Sequence, residues 1–390
     1  MKKRHFIIIN IIFVGLIGFS ATMVYQFMTG SQPWSLLTQF QSHKPTVTVT
    51  DRCSEKPPLT QLNSLHDSSL QKLAVYQQAC RSFVTDTVMV FFSIPTTAEQ
   101  GIDYAEEDAK VLKAFAKAGI RPLVIAEPAM KDGTMIDYQL LANGTYDSAF
   151  DAYFNELKQQ GLTTKQLGIW NPFPEINLPY WKNNLPEYFA PAVNHYLTVA
   201  RNHFAKVQTS LLLNSATYET TDFNWENGDY NSLLPYVKGV KPGLITYAGL
   251  QGFPWVARQG GEGRIFNAAE FLNPSLLTEM AESLGTKKVW FNTGTFSSKY
   301  TLDADKIRHI SSSQRKEILL TIKEQAFLLK EKGYNVSVNI FAEDKSEQTE
   351  ETDWSYWPGQ QPFASADTLL LTDFIRDLNS EKVAFWLFDR

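Results

Sequence analysis

From residue 82 onward, short uninterrupted apolar runs alternate with stretches in which apolar residues recur every three or four positions. Runs of the first kind read as parallel strands buried on both faces, because a strand with one wet face would alternate apolar and polar instead. They predict eight strands: Val88–Phe92, Pro122–Ala126, Leu167–Trp170, Thr209–Leu213, Leu244–Tyr247, Lys288–Asn292, Val336–Phe341 and Val383–Phe388. The intervening stretches predict helices over Tyr104–Ala118, Asp147–Gln160, Tyr188–Phe204, Ser232–Lys238, Ala268–Leu284, Ser312–Lys332 and Ala366–Asn379. Gly119, Gly161, Gly285 and Gly333 stand just past four of the helix ends, where a left-handed residue closes a helix. Strands and helices in strict alternation predict an α/β fold, a (β/α)8 TIM barrel over residues 82–390. The competing topology is an open doubly wound sheet. No Gly-x-Gly-x-x-Gly or Gly-Lys-Ser/Thr loop follows a strand, which removes support from the nucleotide-binding versions of that sheet.

The first residues have a different texture. Lys2, Lys3 and Arg4 precede a largely apolar run from residue 6 to residue 28. About 20 such residues cross a hydrocarbon core, and the positive-inside rule holds the basic cluster in the cytoplasm. The expectation is a cytoplasmic tail (1–5), a transmembrane helix (6–28) and a single-pass protein of the cell membrane whose C-terminal domain lies outside the cytoplasm. A cleaved signal peptide is the alternative, and it exports the domain equally. Residues 29–81, rich in Ser, Thr, Gln and Pro, read as a stalk, with some helical spacing at Leu62, Leu65, Leu70 and Leu73. The chain has two cysteines, Cys53 and Cys80, both in that stalk. In an oxidising compartment they read as one disulfide, contributing about 3 kcal/mol through the unfolded chain, or else as two unpaired thiols.

Charge then narrows the function classes. A net charge of -5 offers no basic face, so nucleic acid is not an expected partner. The histidines His5, His43, His66, His195, His203 and His309 avoid the predicted strand ends. That leaves no ligand set for zinc and no base for a Ser-His-Asp triad, so no metal and no cofactor is expected. His195 and His203 share one predicted helix and read as surface or core-edge residues.

In a barrel, chemistry is assembled from the segments that follow the strands. Here these segments are rich in Trp, Tyr, Asn, Gln and carboxylates. Such a mixture suits carbohydrate, whose C–H faces stack on aromatic rings and whose hydroxyls need paired donors and acceptors. The candidate substrate-binding residues are Trp170, Asn171, Asn177, Trp181, Asn214, Tyr218, Gln251, Trp255, Asn292, Trp354, Trp357 and Trp386. Bulky aromatics plugging the ends of the barrel are the structural alternative. Glycoside hydrolysis needs two carboxyl groups about 5 to 9.5 Å apart. Glu175, after the third strand, and Glu343, after the seventh, are the best-placed catalytic pair, with Glu127, Asp344, Glu347 and Asp389 in reserve. The acidic run from Glu343 to Asp353 also reads as a solvated loop.

Trp170–Trp181, Gln251–Trp255 and Glu343 together resemble the clan of retaining glycoside hydrolases built on (β/α)8 barrels, which includes endo-mannanases and endo-glucanases. The resemblance covers 82–390 in architecture and implies Glu175 as general acid/base and Glu343 as nucleophile. In that clan the acid/base glutamate follows an asparagine at the end of strand four, whereas Glu175 follows Pro174 after the third predicted strand. The reading is therefore an exported, membrane-anchored glycoside hydrolase acting on a polysaccharide or oligosaccharide. The alternatives are a non-catalytic barrel that binds glycan at the same face, and an unrelated barrel enzyme acting on another polar extracellular substrate.

Overall fold

The computed structural model describes residues 87–127, 136–174, 186–215, 233–253, 255–258, 261–265, 272–295, 298–301, 306–309, 311–341, 366–381 and 383–388. The expected tail, anchor and stalk, with Cys53 and Cys80, lie outside the described residues. Among those described, no helix is long and apolar enough to cross a membrane.

The chain runs β1 (Thr87–Ser93), α1 (Ala98–Ala118), β2 (Arg121–Glu127), α2 (Tyr138–Ala142), α3 (Asp147–Gln159), β3 (Ile169–Pro172), α4 (Pro186–His203), β4 (Gln208–Asn214), α5 (Leu234–Val237) and β5 (Tyr247–Gln251). It continues through β6 (Trp255–Arg258), β7 (Gly261–Ile265), α6 (Pro274–Ser283), β8 (Lys288–Gly294), β9 (Ser298–Thr301), β10 (Lys306–His309), α7 (Ser312–Glu331), β11 (Asn335–Phe341), α8 (Ala366–Ser380) and β12 (Ala384–Phe388). Eight strands close into a ring in the order β1-β12-β11-β8-β5-β4-β3-β2. Every ladder in the ring is parallel. The fold is a TIM barrel, and the open doubly wound sheet is excluded.

All eight predicted strands are present, two of them displaced: the third, expected at Leu167–Trp170, runs from Ile169 to Pro172. The fifth was expected at Leu244–Tyr247 but runs from Tyr247 to Gln251. Two antiparallel hairpins, β6–β7 and β9–β10, follow the neighbouring strands β5 and β8 and were not anticipated. Helix α1 begins six residues before its expected start, where the Thr97 side chain caps the Gln100 N–H. Ser311 and Gln314 close a reciprocal capping box at α7. The predicted terminators hold: Gly119, Gly161, Gly285 and Gly333 all have positive φ.

Side chains alternate between two cores. Met89, Leu123, Ile125, Ile169, Leu212, Tyr247 and Trp290 fill the interior of the ring, while the flanking positions pack outward against the helices. Trp290 lies across the backbone of β5: a Cβ on Gly249 would sit 2.4 Å from the indole Nε1. That Nε1 donates to Ser210 Oγ at 2.8 Å, so a side chain of β8 reaches β4 over the strand between them. Outside the ring, Gly168 enters β3 at φ 67, and a Cβ there would be 2.0 Å from the Pro122 carbonyl oxygen. His195 and His203 of α4 each bond an aspartate of α3, Asp147 and Asp151, the second pair at 2.8 Å. Both are half-buried at the core edge, within the expected surface or core-edge placement.

The ladders differ in extent. Seven residue pairs join β1 to β2 and seven join β8 to β11. Among the described residues only two pairs join β1 to β12, and two join β3 to β4.

Candidate functional site

Five consecutive strands of the ring, β3, β4, β5, β8 and β11, each carry an amide at an inward position: Asn171, Asn214, Gln251, Asn292 and Asn339. All five are buried. Their parity follows from their neighbours. Ile169 is interior and Trp170 exterior, so Asn171 is interior; Val338 and Ile340 are exterior, so Asn339 is interior. The registers set Asn214 beside Gln251, Gln251 beside Asn292, and Asn292 beside Asn339.

Three of these amides form a directed relay. The Asn339 Nδ2 donates to Asn292 Oδ1 at 2.6 Å, and the Asn292 Nδ2 donates to Gln251 Oε1. Gln251, whose oxygen accepts in this way, stands at the end of its strand. Main-chain bonds fix the neighbourhood: the Ser215 N–H donates to the Gln251 carbonyl at 2.7 Å, and the Gly252 N–H to the Asn292 carbonyl at 3.0 Å. Phe91 and Phe253, both half-buried, pack against the interior core.

Of the residues predicted from sequence, Asn171, Asn214, Gln251 and Asn292 converge on the ring interior. Asn171 lies deeper than expected and is fully buried. Glu127 ends β2 in register with Ser93 and is half-buried. Trp386 lies in β12, in register with Asn339, and Trp255 opens the β6–β7 hairpin opposite Ile265. Trp170 is corrected: it points away from the ring, packs on Phe92, Tyr153 and Phe154, and donates its Nε1–H to the Tyr196 hydroxyl at 3.0 Å. It is a packing residue of the helix layer rather than a sugar platform. Glu175, Asn177, Trp181, Tyr218, Glu343, Asp344, Glu347, Trp354, Trp357 and Asp389 lie outside the described residues.

Two participants escaped the sequence reading. Asn339 had a legible signal, since Asn335, Ser337 and Asn339 alternate with apolar residues along β11. Arg315 had none: a fully buried cation, it donates from Nε to Thr295 Oγ1 at 3.1 Å and from Nη2 to the Thr295 carbonyl at 3.0 Å, fixing the chain as it leaves β8. Among the described residues no group of three His, Cys, Asp or Glu could hold a metal ion.

The exit of β3 is unusually constrained. Phe173 has φ 51, the only positive φ of a non-glycine residue among those described. A bulky side chain adopts that conformation only where surrounding contacts enforce it. The Phe173 N–H donates to the Ala126 carbonyl at 3.0 Å, and its ring meets Tyr138 and Tyr196 at centroid distances of 5.4 and 5.5 Å. Burial holds the Tyr138 phenol far above its ordinary pKa, and its hydroxyl has no hydrogen-bond partner. Burial first, and then the Asp108 carboxylate it donates to at 2.6 Å, likewise raises Tyr153. Both phenols therefore stay neutral over any physiological pH. Tyr138→Phe removes an unsatisfied buried polar atom, so thermal denaturation is expected to find it as stable as the parent or up to about 1 kcal/mol more stable.

No family model matches the chain, and no curated protein matches its sequence. Among solved structures, it is similar to the β-glucosidase from Thermotoga maritima in complex with deoxynojirimycin, at 12% identity, over 77% of this chain and 85% of that one, with a TM-score of 0.51. The complex of that β-glucosidase with isofagomine lactam gives 12% identity, the same coverage and a TM-score of 0.49. At this identity the likeness establishes the fold alone, in agreement with the closed ring.

Proposed function

We propose that this protein is a membrane-anchored glycoside hydrolase that acts outside the cytoplasm on a polysaccharide or oligosaccharide, with Glu175 as general acid/base and Glu343 as nucleophile. The observation that carries the proposal is the arc of inward amides on five neighbouring strands, in a ring whose interior core also carries Phe91 and Phe253. Neutral donors and acceptors beside aromatic surface match the hydroxyls and C–H faces of a sugar. The strand count supports Glu343: it follows β11, the seventh strand of the ring, where the clan resembled by this sequence carries its nucleophile. Raising the pKa of Glu175 for acid catalysis would fall to apolar neighbours, which disfavour the charged form.

One observation favours a second reading, a barrel that binds glycan without cutting it. The fourth strand ends in Asn214-Ser215, where the same clan carries asparagine followed by glutamate. A panel of polysaccharides and aryl glycosides, assayed with the parent protein, Glu175→Gln and Glu343→Gln, separates the two. Turnover by the parent that both variants lose supports the hydrolase. Glycan binding with no turnover on any member of the panel replaces it with the binding protein.

A further inference from the structure

Asn171 on β3 and Asn339 on β11 stand on opposite sides of the ring, both fully buried. In a tilted ring, alternate strands contribute side chains to a common level. The registers place Met89, Asn171, Gly249 and Asn339 on one such level, at mid-barrel. Met89 is apolar and Gly249 has no side chain, so the two asparagines supply all the polarity of that level. Neither Nδ2 nor Oδ1 of Asn171 has a hydrogen-bond partner, and neither does Oδ1 of Asn339. Buried polar atoms of native proteins are nearly always satisfied, by protein or by a guest.

The unmatched groups define that guest. Asn171 offers N–H donors and a carbonyl acceptor, and Asn339 offers an acceptor. A cation would meet the Asn171 NH2, and an anion would meet the Asn339 oxygen, so neither fits. We propose that Asn171 and Asn339 form a mid-barrel site for one neutral O–H group, either an ordered water or a hydroxyl of a bound polyol. The relay from Asn339 through Asn292 to Gln251 then links this guest to the mouth of the barrel. The site stands whether or not Glu175 and Glu343 cut a glycosidic bond; only a sugar as the source of the hydroxyl rests on the carbohydrate reading.

A pair of variants of equal size tests the site in the full-length protein without any sugar. Asn171→Ala and Asn171→Ser leave nearly the same space, but serine keeps one O–H to bond the guest. The expected result is a higher Tm for Asn171→Ser than for Asn171→Ala. A dry site would make the serine hydroxyl a burden, so an alanine variant as stable as serine or more so overturns the proposal. A crystal structure of the parent protein gives an independent check: density within hydrogen-bond distance of both asparagines is expected, and an Asn171 amide bonded to protein atoms overturns the site. Titration with glucose, mannose and galactose then assigns the source. Binding weakened tenfold or more by Asn171→Ala identifies a sugar hydroxyl, whereas unchanged or absent binding assigns the guest to water.

Discussion

Glu343→Gln is expected to lower kcat on any glycan the parent protein cleaves by about 10²- to 10⁴-fold, with KM nearly unchanged. Glutamine keeps the shape of the side chain and loses both the nucleophilic oxygen and the negative charge that faces an oxocarbenium-like transition state. Glu175→Gln is expected to differ in kind. It removes the proton donor of the first step, which matters for a sugar leaving group and little for an activated one such as nitrophenolate, and it removes the base that activates water in the second step. The ratio of kcat/KM on an aryl glycoside to kcat/KM on the natural linkage should therefore rise in Glu175→Gln and stay near the parent's value in Glu343→Gln. Undiminished turnover by Glu343→Gln would remove that residue from the mechanism.

The second large effect is structural. Gly168→Ala is expected to destabilise the barrel by about 2 to 5 kcal/mol. Of this, about 1 to 2 kcal/mol comes from a Cβ at positive φ and the rest from overpacking. The added carbon would meet the Pro122 carbonyl oxygen at 2.0 Å, and a backbone oxygen in the adjoining strand has no rotamer through which to retreat. Gly161→Ala is the natural control, since its φ is 79 but nothing lies within 4 Å of the added carbon. Urea denaturation of both variants separates the two contributions. Equal midpoints would mean that the contact with Pro122 relaxes at no cost.

Much of this architecture is legible in the sequence because a barrel strand is a short apolar run and a barrel helix has a periodic face. What failed has identifiable causes. In strands buried on both faces there is no polar alternation to reveal which way a side chain points. Ile169-Trp170-Asn171 therefore gave no warning that Trp170 faces the helices. The fifth strand was displaced because Leu244 and Ile245 extend the apolar run backwards, while Gly249 weakens the strand signal. That glycine is present to admit the Trp290 indole, a long-range requirement invisible to a local pattern. Helix α1 was shortened by Gly101, which looks like an interruption but sits against α3, where a Cβ would lie 2.4 Å from the Ala149 carbonyl oxygen. The amides Asn171, Asn214, Gln251 and Asn292 are legible because they stand at or just after the ends of apolar runs, where a barrel assembles its site. Asn339, equally inward, was passed over in favour of the carboxylates that follow it.

The junction of β3 with β4 holds two residue pairs among the described residues, and β3 is a short strand that ends in Pro172, which has no N–H to give to a ladder. Asn171 rides on β3, whereas Gln251, Asn292 and Asn339 ride on strands beyond that seam. Opening at the seam would shift Asn171 against the three linked amides while leaving their relay intact. Deuterium uptake should accordingly be quicker along β3 than along β2, and a molecule clasped between Asn171 and Asn339 should slow it.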